Sequence, residues 1–453
     1  MIAAAHKSSG KTTISLGLAA SLKNIELKVQ TFKKGPDYID PMWLSTASGQ
    51  ACYNLDFNAL SNEEIIDLYA QKSTNSDICI VEANKGLYDG LALDGSDSNA
   101  SLAKLLNIPV ILVIDSMGMT RGIAPLLLGY QEFDKDVNIA GIILNKVGGK
   151  RHEEKLRLAI KAFTNIKVLG AIWRSPEFEI GERHLGLKTP FEDLELENKI
   201  NNIAKIIDKE IDIDKLLSIA KSSAKIKAKP NPQITRNAQG LKIGIIRDEA
   251  FGFYYADDLE AFEKAGAKLI YINSINDRSL PKIDGLFIGG GFPEIHSKAL
   301  EDNFSLRKEI KQAIENGLPT YAECAGLIYL CNEIEWQDKI HKMVGIIDAT
   351  ALMHDRPQGR GYVKYQALPS SVWGKTEIEI KAHEFHYTSL KNLTPSSKFT
   401  RKITRGHGID GTHDGIIYKN LIAGFCHLRN SQSNDWINQF LNFVKSKKLN
   451  LPA

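Results

Sequence analysis

The chain has 453 residues, more than one ordinary hydrophobic core holds, so two or three domains are expected. Its basic and acidic residues nearly balance, with a formal net charge of +3, which favours a small-molecule ligand over nucleic acid or a membrane surface. No apolar run is long enough to cross a bilayer, and Lys7 and Lys11 interrupt any secretory signal, which predicts a cytoplasmic protein. Five scattered cysteines without a C-x-x-C pair indicate reduced thiols.

The first motif in chain order is a phosphate-binding loop. Residues 5–13 read Ala-His-Lys-Ser-Ser-Gly-Lys-Thr-Thr, between a short apolar strand and a helix-like segment at 14–22. In such a loop the backbone N–H groups hold phosphates, Lys11 reaches the outer phosphates and Thr12 binds magnesium. Ala5 replaces the first glycine of the usual pattern, so the motif is incomplete by itself. The strand before the loop and the helix after it strengthen the prediction of an ATP site.

Acidic residues follow several predicted strands of the first half. Asp37 and Asp40 lie in a turn that two prolines fix, directly after one strand. Glu82 closes another strand, and Asp89 follows in the next loop. Each acid alone is more typical of a cap or a solvated turn. Together with the phosphate loop they predict a magnesium–nucleotide site, because ligands bind such sheets at the carboxyl ends of the strands.

Short apolar strands alternate with amphipathic segments along the chain, the rhythm of a doubly wound parallel sheet. The predicted strands of the first half are 29–32, 78–81, 110–114, 139–144 and 168–172, with helices at 101–107 and 121–133. The change of composition after residue 207 predicts a first domain at 1–207, a helix and linker at 208–240 and a second α/β domain at 241–453. The predicted strands of the second domain include 241–246, 268–272, 285–288 and 318–322.

Cys324 stands at the junction between a predicted strand and a predicted helix, a position typical of a nucleophile. A single cysteine is as often a small buried hydrophobic residue as a nucleophile, so the residues around Cys324 must distinguish the two roles. The glycine run 289–291 follows a strand and predicts an oxyanion hole, together with the amide of Ala325. His427 ends a later apolar strand and is the predicted base for Cys324.

These motifs resemble the cobyrinate a,c-diamide synthase family, whose members join an ATP-binding synthetase domain to a class I glutamine amidotransferase domain. The motifs that carry the resemblance are Ser9-Gly10-Lys11-Thr12-Thr13, 35–41, Asn54-Leu55-Asp56, 86–90, 140–145, 289–294, the Cys324 turn and 383–387. The resemblance implies an N-terminal P-loop NTPase-like (dethiobiotin synthetase-like) parallel sheet and a C-terminal class I amidotransferase-like α/β domain. It implies ATP, Mg²⁺ and glutamine as reactants or cofactors, and a tetrapyrrole polycarboxylate as the substrate.

The resemblance also implies roles for residues at matching positions. They are Cys324 and His427 for glutamine hydrolysis; Gly290, Gly291 and Ala325 for the oxyanion; Ser9, Gly10, Lys11, Thr12, Thr13 and Asn145 for ATP; Asp37, Tyr38, Asp40, Lys85 and Asp89 for the substrate or its acyl phosphate; and Thr12, Asp40 and Glu82 for the metal. No acid stands two residues after His427, so the third member of the usual triad has no predicted position.

Departures from the family pattern bear on the substrate. Leu44 and Arg429 stand where the family often has histidines, and Asn84-Lys85 precedes Gly86. Residues 6–9, Asn84-Lys85 and the stretch 118–125 resemble a siroheme amidase branch and favour siroheme over cobyrinate. Lys85 is expected to meet substrate carboxylates, whereas a solvated surface is the expectation for Lys33 and Lys34.

Two other classes of protein share part of these motifs. An ATPase of the partitioning or metal-chaperone type has the phosphate loop but no use for an amidotransferase domain. A glutaminase-only module would keep Cys324 and His427 and need no Gly10-Lys11-Thr12. The sequence alone leaves these alternatives open, and a homodimer is a further prediction.

Overall fold

The computed structural model describes residues 1–178, 180, 182–183, 186–192, 195–229, 236–374 and 378–449. The chain forms two compact units, Met1–Pro230 and Asn231–Ala453. Within the described residues, no helix combines the length and the apolarity that crossing a membrane requires.

The first unit alternates strands and helices. Its elements are β1 (Ile2–Ala4), α1 (Lys11–Asn24), β2 (Val29–Lys34), α2 (Ile39–Ser48), β3 (Tyr53–Leu55), α3 (Asn62–Ser73), β4 (Ile78–Glu82), α4 (Asn99–Leu105), β5 (Val110–Asp115), α5 (Ile123–Phe133), β6 (Ile139–Val147), α6 (Lys150–Phe163), β7 (Val168–Trp173), β8 (Glu182–Arg183), β9 (Gly186–Leu187), α7 (Leu196–Glu210) and α8 (Ile213–Lys221), with short 3₁₀ turns at Pro176–Phe178 and Pro190–Glu192. The predicted strands and helices of this half are confirmed, with ends that differ by a few residues.

Seven strands of this unit form one parallel sheet in the order β3-β2-β4-β1-β5-β6-β7. The strands are buried, as expected of a parallel sheet with helices on its faces. Because β1 is central and β4 and β2 follow on one side, the loops after these three strands meet at one edge. This strand order brings the phosphate loop close to Glu82 and to the turn that carries Asp37 and Asp40.

Helices α1 and α7 form much of the core on one face of this sheet. Gly17 is required at their contact, because a Cβ atom there would lie 2.5 Å from Cγ1 of Ile207. Helix α8 lies inside the predicted linker 208–240, yet Leu216 and Ile219 belong to the core of the first unit. The change of unit comes later, at Pro230, and residues 230–235 of the predicted linker lie outside the described residues.

The described residues of the second unit form a large mixed sheet, a four-stranded sheet and a two-stranded sheet. Its elements are β10 (Lys242–Ile246), β11 (Phe251–Phe253), α9 (Ala256–Lys264), β12 (Lys268–Ile272), β13 (Gly285–Ile288), β14 (Gly290–Gly291), α10 (Ser297–Asp302), α11 (Phe304–Glu315), β15 (Thr320–Glu323), α12 (Ala325–Leu330), β16 (Cys331–Trp336), β17 (Lys339–Lys342), β18 (Ile347–Met353), β19 (Gly359–Ala367), β20 (Ile380–His386), β21 (Thr388–Lys391), β22 (Lys398–Arg405), β23 (His413–Tyr418), β24 (Leu421–Gly424) and α13 (Trp436–Leu449).

The large sheet has nine strands in the order β12-β10-β13-β15-β24-β23-β22-β19-β20. The first five are parallel, and the others continue the sheet in antiparallel pairs. Strands β15 and β24 are neighbours, with Glu323 opposite Gly424. Cys324 and His427, which follow these two strands, therefore lie at the same edge of the sheet although 103 positions separate them in the sequence.

Candidate active sites

The loop after β1 has a backbone that only a small residue can adopt. Gly10 precedes α1 with φ +89°, in the left-handed region that favours glycine. A Cβ atom on Gly10 would lie 2.2 Å from Nδ2 of Asn145. The same Asn145 amide donates to the carbonyl of Ser9 at 2.9 Å, so the end of β6 fixes the shape of the loop. The predicted nucleotide residues Ser9, Gly10 and Asn145 are thus in contact.

Lys11 and Thr12 begin α1 at the helix N-terminus, where backbone N–H groups favour an anion. Lys11 is buried, and burial together with the charge of Lys33 lowers its pKa to about 8, although Glu82, Asp40 and Asp89 act in the opposite direction. A phosphate beside this amine would stabilise its charged form. The Thr12 hydroxyl donates to Glu82 Oε1 at 2.8 Å and lies 3.3 Å from Asp40 Oδ2. Thr13 is half-buried in the same turn.

Lys33 is an unpredicted member of this group, and the expectation of a solvated Lys33 is wrong. Its side chain is 3% exposed, its Nζ lies 2.7 Å from Glu82 Oε1, and it forms ion pairs with Asp40 and Asp37. Burial opposes the charge of Lys33, but the three carboxylates raise its pKa well above the usual value. Three acids at the ends of parallel strands need a cation, and Lys33 at the end of β2 supplies one.

Lys34 is buried as well, on the other side of β2. Its Nζ donates to the carbonyl of Asp97 at 2.6 Å, and burial lowers its pKa. The expectation that Lys34 is a solvated surface residue is therefore also wrong. Its contact ties the loop before α4 to the sheet.

The oxygens around Thr12 fit a magnesium ion. Glu82 is fully buried, and its Oε2 accepts no hydrogen bond from the described residues, which leaves it free for a cation. Asp40 and the Thr12 hydroxyl lie beside it. No group of three His, Cys, Asp or Glu side chains in the described residues is arranged to hold a metal by itself. In a magnesium–nucleotide site the phosphates and water usually supply the remaining ligands.

The predicted substrate residues differ in whether they contact the lysines and backbone N–H groups near Thr12. Asp37 accepts a hydrogen bond from the backbone N–H of Asp40 at 3.1 Å and lies 3.8 Å from Lys33 Nζ. Tyr38 directly precedes α2. Asp89 accepts from the N–H of Gly86 at 2.9 Å, and its charge acts on Lys11. Lys85 is exposed, with φ +41°.

In the second unit Cys324 forms a strained turn between β15 and α12. Its backbone has φ 50° and ψ −102°, a conformation that a residue with a side chain rarely adopts. The close packing of the turn holds it there, because a Cβ atom on Gly326 would lie 2.4 Å from the carbonyl oxygen of Ile288. The predicted sharp junction at Cys324 is confirmed. Helix α12 has only six residues, so the turn itself dominates the local geometry.

His427 lies beside Cys324, as the sequence predicts. The imidazole is 2% exposed, and burial by itself would lower its pKa. Hydrogen bonds and charges of Cys324 and Glu323 act more strongly and raise the pKa of His427 to about 10. The ring also stacks on His383, with centroids 4.8 Å apart and planes 12° from parallel. Sequence reasoning missed both Glu323 and His383.

The glycine run 289–291 divides between two contacts. Gly290 lies against the Cys324–His427 pair, since a Cβ atom there would be 2.6 Å from Cε1 of His427. Gly291 lies against β11, where a Cβ atom would be 1.9 Å from the carbonyl oxygen of Ala250. The carbonyl of Gly289 accepts from the N–H of Gly326 at 3.1 Å, which ties this run to the Cys324 turn. Gly290 and Ala325 are therefore near the thiol, and Gly291 is one residue further along.

Replacing Gly290 with alanine is expected to reduce glutamine hydrolysis by about 10²-fold, because the new methyl group displaces the His427 ring. Amidation with ammonium salts should keep its rate. Gly129→Ala is a matched control, since a Cβ atom on Gly129 meets nothing within 4 Å. Glutamate release by the two variants measures the effect, and equal rates would contradict this contact.

Comparisons with known proteins agree with this pair of sites. Residues 1–179 match the model of an AAA domain, and residues 242–435 match that of a CobB/CobQ-like glutamine amidotransferase domain. The chain is 40% identical to the cobyrinate a,c-diamide synthase of Magnetococcus marinus, over 96% of this chain and 94% of that protein. It is 37% identical to the protein of the same name from Archaeoglobus fulgidus, over 99% of this chain and 98% of that protein. With a phosphate-binding loop in one unit and a cysteine–histidine pair in the other, the chain belongs to the cobyrinate a,c-diamide synthase family of glutamine-dependent amidoligases.

Proposed function

We propose that this protein uses ATP and glutamine to convert peripheral carboxylates of a tetrapyrrole into amides. The observation that carries the proposal is the presence in one chain of the Lys11 loop and the Cys324–His427 pair. An ATPase of the partitioning or metal-chaperone type is the alternative, and it would leave the strained Cys324 turn without a use.

In the second unit, the Cys324 thiolate attacks the side-chain amide of glutamine. The sulfur–carbon bond forms, the carbon–nitrogen bond breaks, and His427 delivers its proton to the departing ammonia. Backbone N–H groups of Gly290, Gly291 and Ala325 are the proposed donors to the oxyanion. Water then hydrolyses the thioester and releases glutamate.

In the first unit, ATP phosphorylates a substrate carboxylate, because a free carboxylate is a poor electrophile for ammonia. Ammonia displaces the phosphate and leaves an amide. Lys11 and the amides of the loop stabilise the charge that develops on the transferred phosphoryl group. Thr12, Asp40 and Glu82 would hold Mg²⁺, which supplies further charge neutralisation when it is bound. Lys33 keeps the acidic residues in place beside this site.

Asp37, Tyr38, Asp89 and Lys85 are the proposed neighbours of the substrate carboxylate and its acyl phosphate. Lys85 is the exposed cation of this set, and a mobile ammonium group suits a carboxylate that must enter and leave. Asp37 and Asp89 bind neighbouring backbone N–H groups, so they orient the turns that surround the reacting groups.

The name shared by the relatives supports cobyrinate as the substrate. Of the departures that bear on the substrate, Leu44 is fully buried and does not face an open site. Arg429 belongs to the glutaminase unit, where its Nη2 lies 2.6 Å from Asp257 Oδ2. Lys85, in the loop that also carries Asp89, is exposed. Cobyrinate is therefore the first substrate to test, and siroheme the second.

Mass spectrometry of a competition reaction tests this proposal. Equal amounts of cobyrinic acid and siroheme are incubated with the protein, glutamine, ATP and Mg²⁺. Each amidation exchanges a hydroxyl for an amino group and lowers the product mass by that difference. We expect cobyrinate diamide to accumulate; amidated siroheme alone would favour the siroheme branch, and no amidated product from either would contradict the function.

A further inference from the structure

We propose that Glu323, the residue directly before the nucleophile, is the positioning acid of the Cys324–His427 pair. The inference rests on the proposed glutaminase reaction and adds a residue that orients His427 and stabilises its charged form. Glu323 would take the part that an acid two residues after the histidine plays elsewhere, a position at which this chain has Arg429.

The first support is the contact between the two side chains. Glu323 Oε2 lies 3.5 Å from His427 Nδ1, and both side chains are almost completely buried. Water screens a buried pair weakly, so a carboxylate at this distance has a strong effect on an imidazolium. Since Nδ1 faces Glu323, Nε2 is the ring nitrogen left for the sulfur of Cys324.

The second support is the way in which the other carboxylate oxygen is held. Glu323 Oε1 accepts hydrogen bonds from the backbone N–H of Leu428 and from the hydroxyl of Tyr321, both at 2.7 Å. Arg401 donates to the same Tyr321 hydroxyl at 3.1 Å and pairs with Asp414 at 3.0 Å. These bonds fix the carboxylate plane and leave Oε2 for the imidazole.

Leu428 directly follows His427. The Glu323 carboxylate therefore binds the backbone beside the histidine with one oxygen and faces the imidazole ring with the other. The strand order explains this geometry, because β15 and β24 are parallel neighbours and end at the same edge. A glutamate at the last position of β15 therefore reaches the segment that follows β24. The acid comes from the strand that carries the nucleophile.

The other groups around His427 do not replace this carboxylate. His383 stacks on the imidazole, and burial and the charges of His427 and Arg429 lower its pKa well below the usual value, which leaves it neutral. The Tyr255 hydroxyl lies 3.5 Å from His383 Nδ1. Among the described groups that contact His427, Cys324 and Glu323 are the two that favour its protonated form.

Glu323→Gln tests the inference, because glutamine keeps the size of the side chain and an acceptor for Leu428 while it removes the charge. We expect kcat for glutamine hydrolysis to fall by at least about 10²-fold, as when a neutral amide replaces the acid of a catalytic triad. The alkylation of Cys324 by iodoacetamide should shift to higher pH, because an unassisted His427 stabilises the thiolate less. Glu335→Gln, which removes a surface partner of Lys391, is the matched control.

Both readouts need glutamine or iodoacetamide alone, so an error in the tetrapyrrole substrate does not affect them. Amidation with ammonium salts confirms that the variant is folded, and Glu323→Asp provides a second variant that keeps the charge. The aspartate variant should recover part of the lost rate and of the original alkylation profile. An unchanged kcat and an unchanged alkylation profile in Glu323→Gln would overturn the inference. A wild-type protein that releases no glutamate would overturn the proposed function as well.

Discussion

Cys324→Ala is expected to abolish amidation with glutamine and to leave amidation with ammonium salts at the wild-type rate. The variant removes the sulfur that forms the thioester, and loss of a nucleophile costs on the order of 10⁴-fold or more. The ATP site is unaffected, because Cys324 lies in the second unit and the phosphate loop lies in the first. Alanine fits the site sterically, although it inherits the backbone strain at φ 50°.

The comparison of nitrogen donors identifies what the cysteine does. Rates are measured with glutamine and with an ammonium salt, at the same concentrations of ATP and substrate. Cys331→Ala is a suitable control, because Cys331 is a buried thiol whose pKa burial raises well above the usual value. Equal losses with both nitrogen donors in Cys324→Ala would show that the residue supports the whole reaction or the fold, contrary to the division proposed above.

Lys11→Ala is expected to lower amidation by about 10²–10³-fold with either nitrogen donor, the usual cost of removing one group that stabilises transition-state charge. Lys11 is buried at the start of α1, beside Thr12 and the acids that fit Mg²⁺. Gly10 and Asn145 fix the backbone of the loop, so the Lys11 amine is held at the start of this helix.

Lys23→Ala is the matched control, since Lys23 lies in the last turn of the same helix and is exposed. Phosphate release and amidation are followed in both variants. Glutamate release without ATP should be unchanged in Lys11→Ala, since Cys324 and His427 remain intact. Normal ATP turnover by Lys11→Ala would show that the phosphate loop takes no part in the reaction.

Local patterns predict much of the fold and several residues that the structure brings together at the two candidate sites. The phosphate loop and the Cys324 turn are each contained in a short run of sequence, with a strand on one side and a helix on the other. The buried strands are short apolar runs, and their length and the turn residues that flank them distinguish them from buried helices. The helix at Ile213–Lys221 lies in the segment 208–240, for which composition predicts a helix followed by a linker, but composition does not show that this helix packs on the first unit.

The missed residues depend on which strands are neighbours in the sheet. Glu323 reaches His427 only because β15 and β24 are adjacent, and no local pattern contains that information. Two successive lysines at a strand end predict a solvated Lys33. It is buried because β2 lies next to β4, so that Glu82 and Asp40 surround its amine.

The transfer of nitrogen from glutamine to the tetrapyrrole is the central claim, and isotopic labelling tests it most directly. The protein is incubated with glutamine labelled with ¹⁵N at the side-chain amide, ATP, Mg²⁺ and cobyrinic acid, in the presence of unlabelled ammonium at low concentration. We expect the amide nitrogen of the product to carry the label, and Cys324→Ala to incorporate only unlabelled nitrogen. Hydrolysis of both ATP and glutamine without any label in the macrocycle would contradict the account.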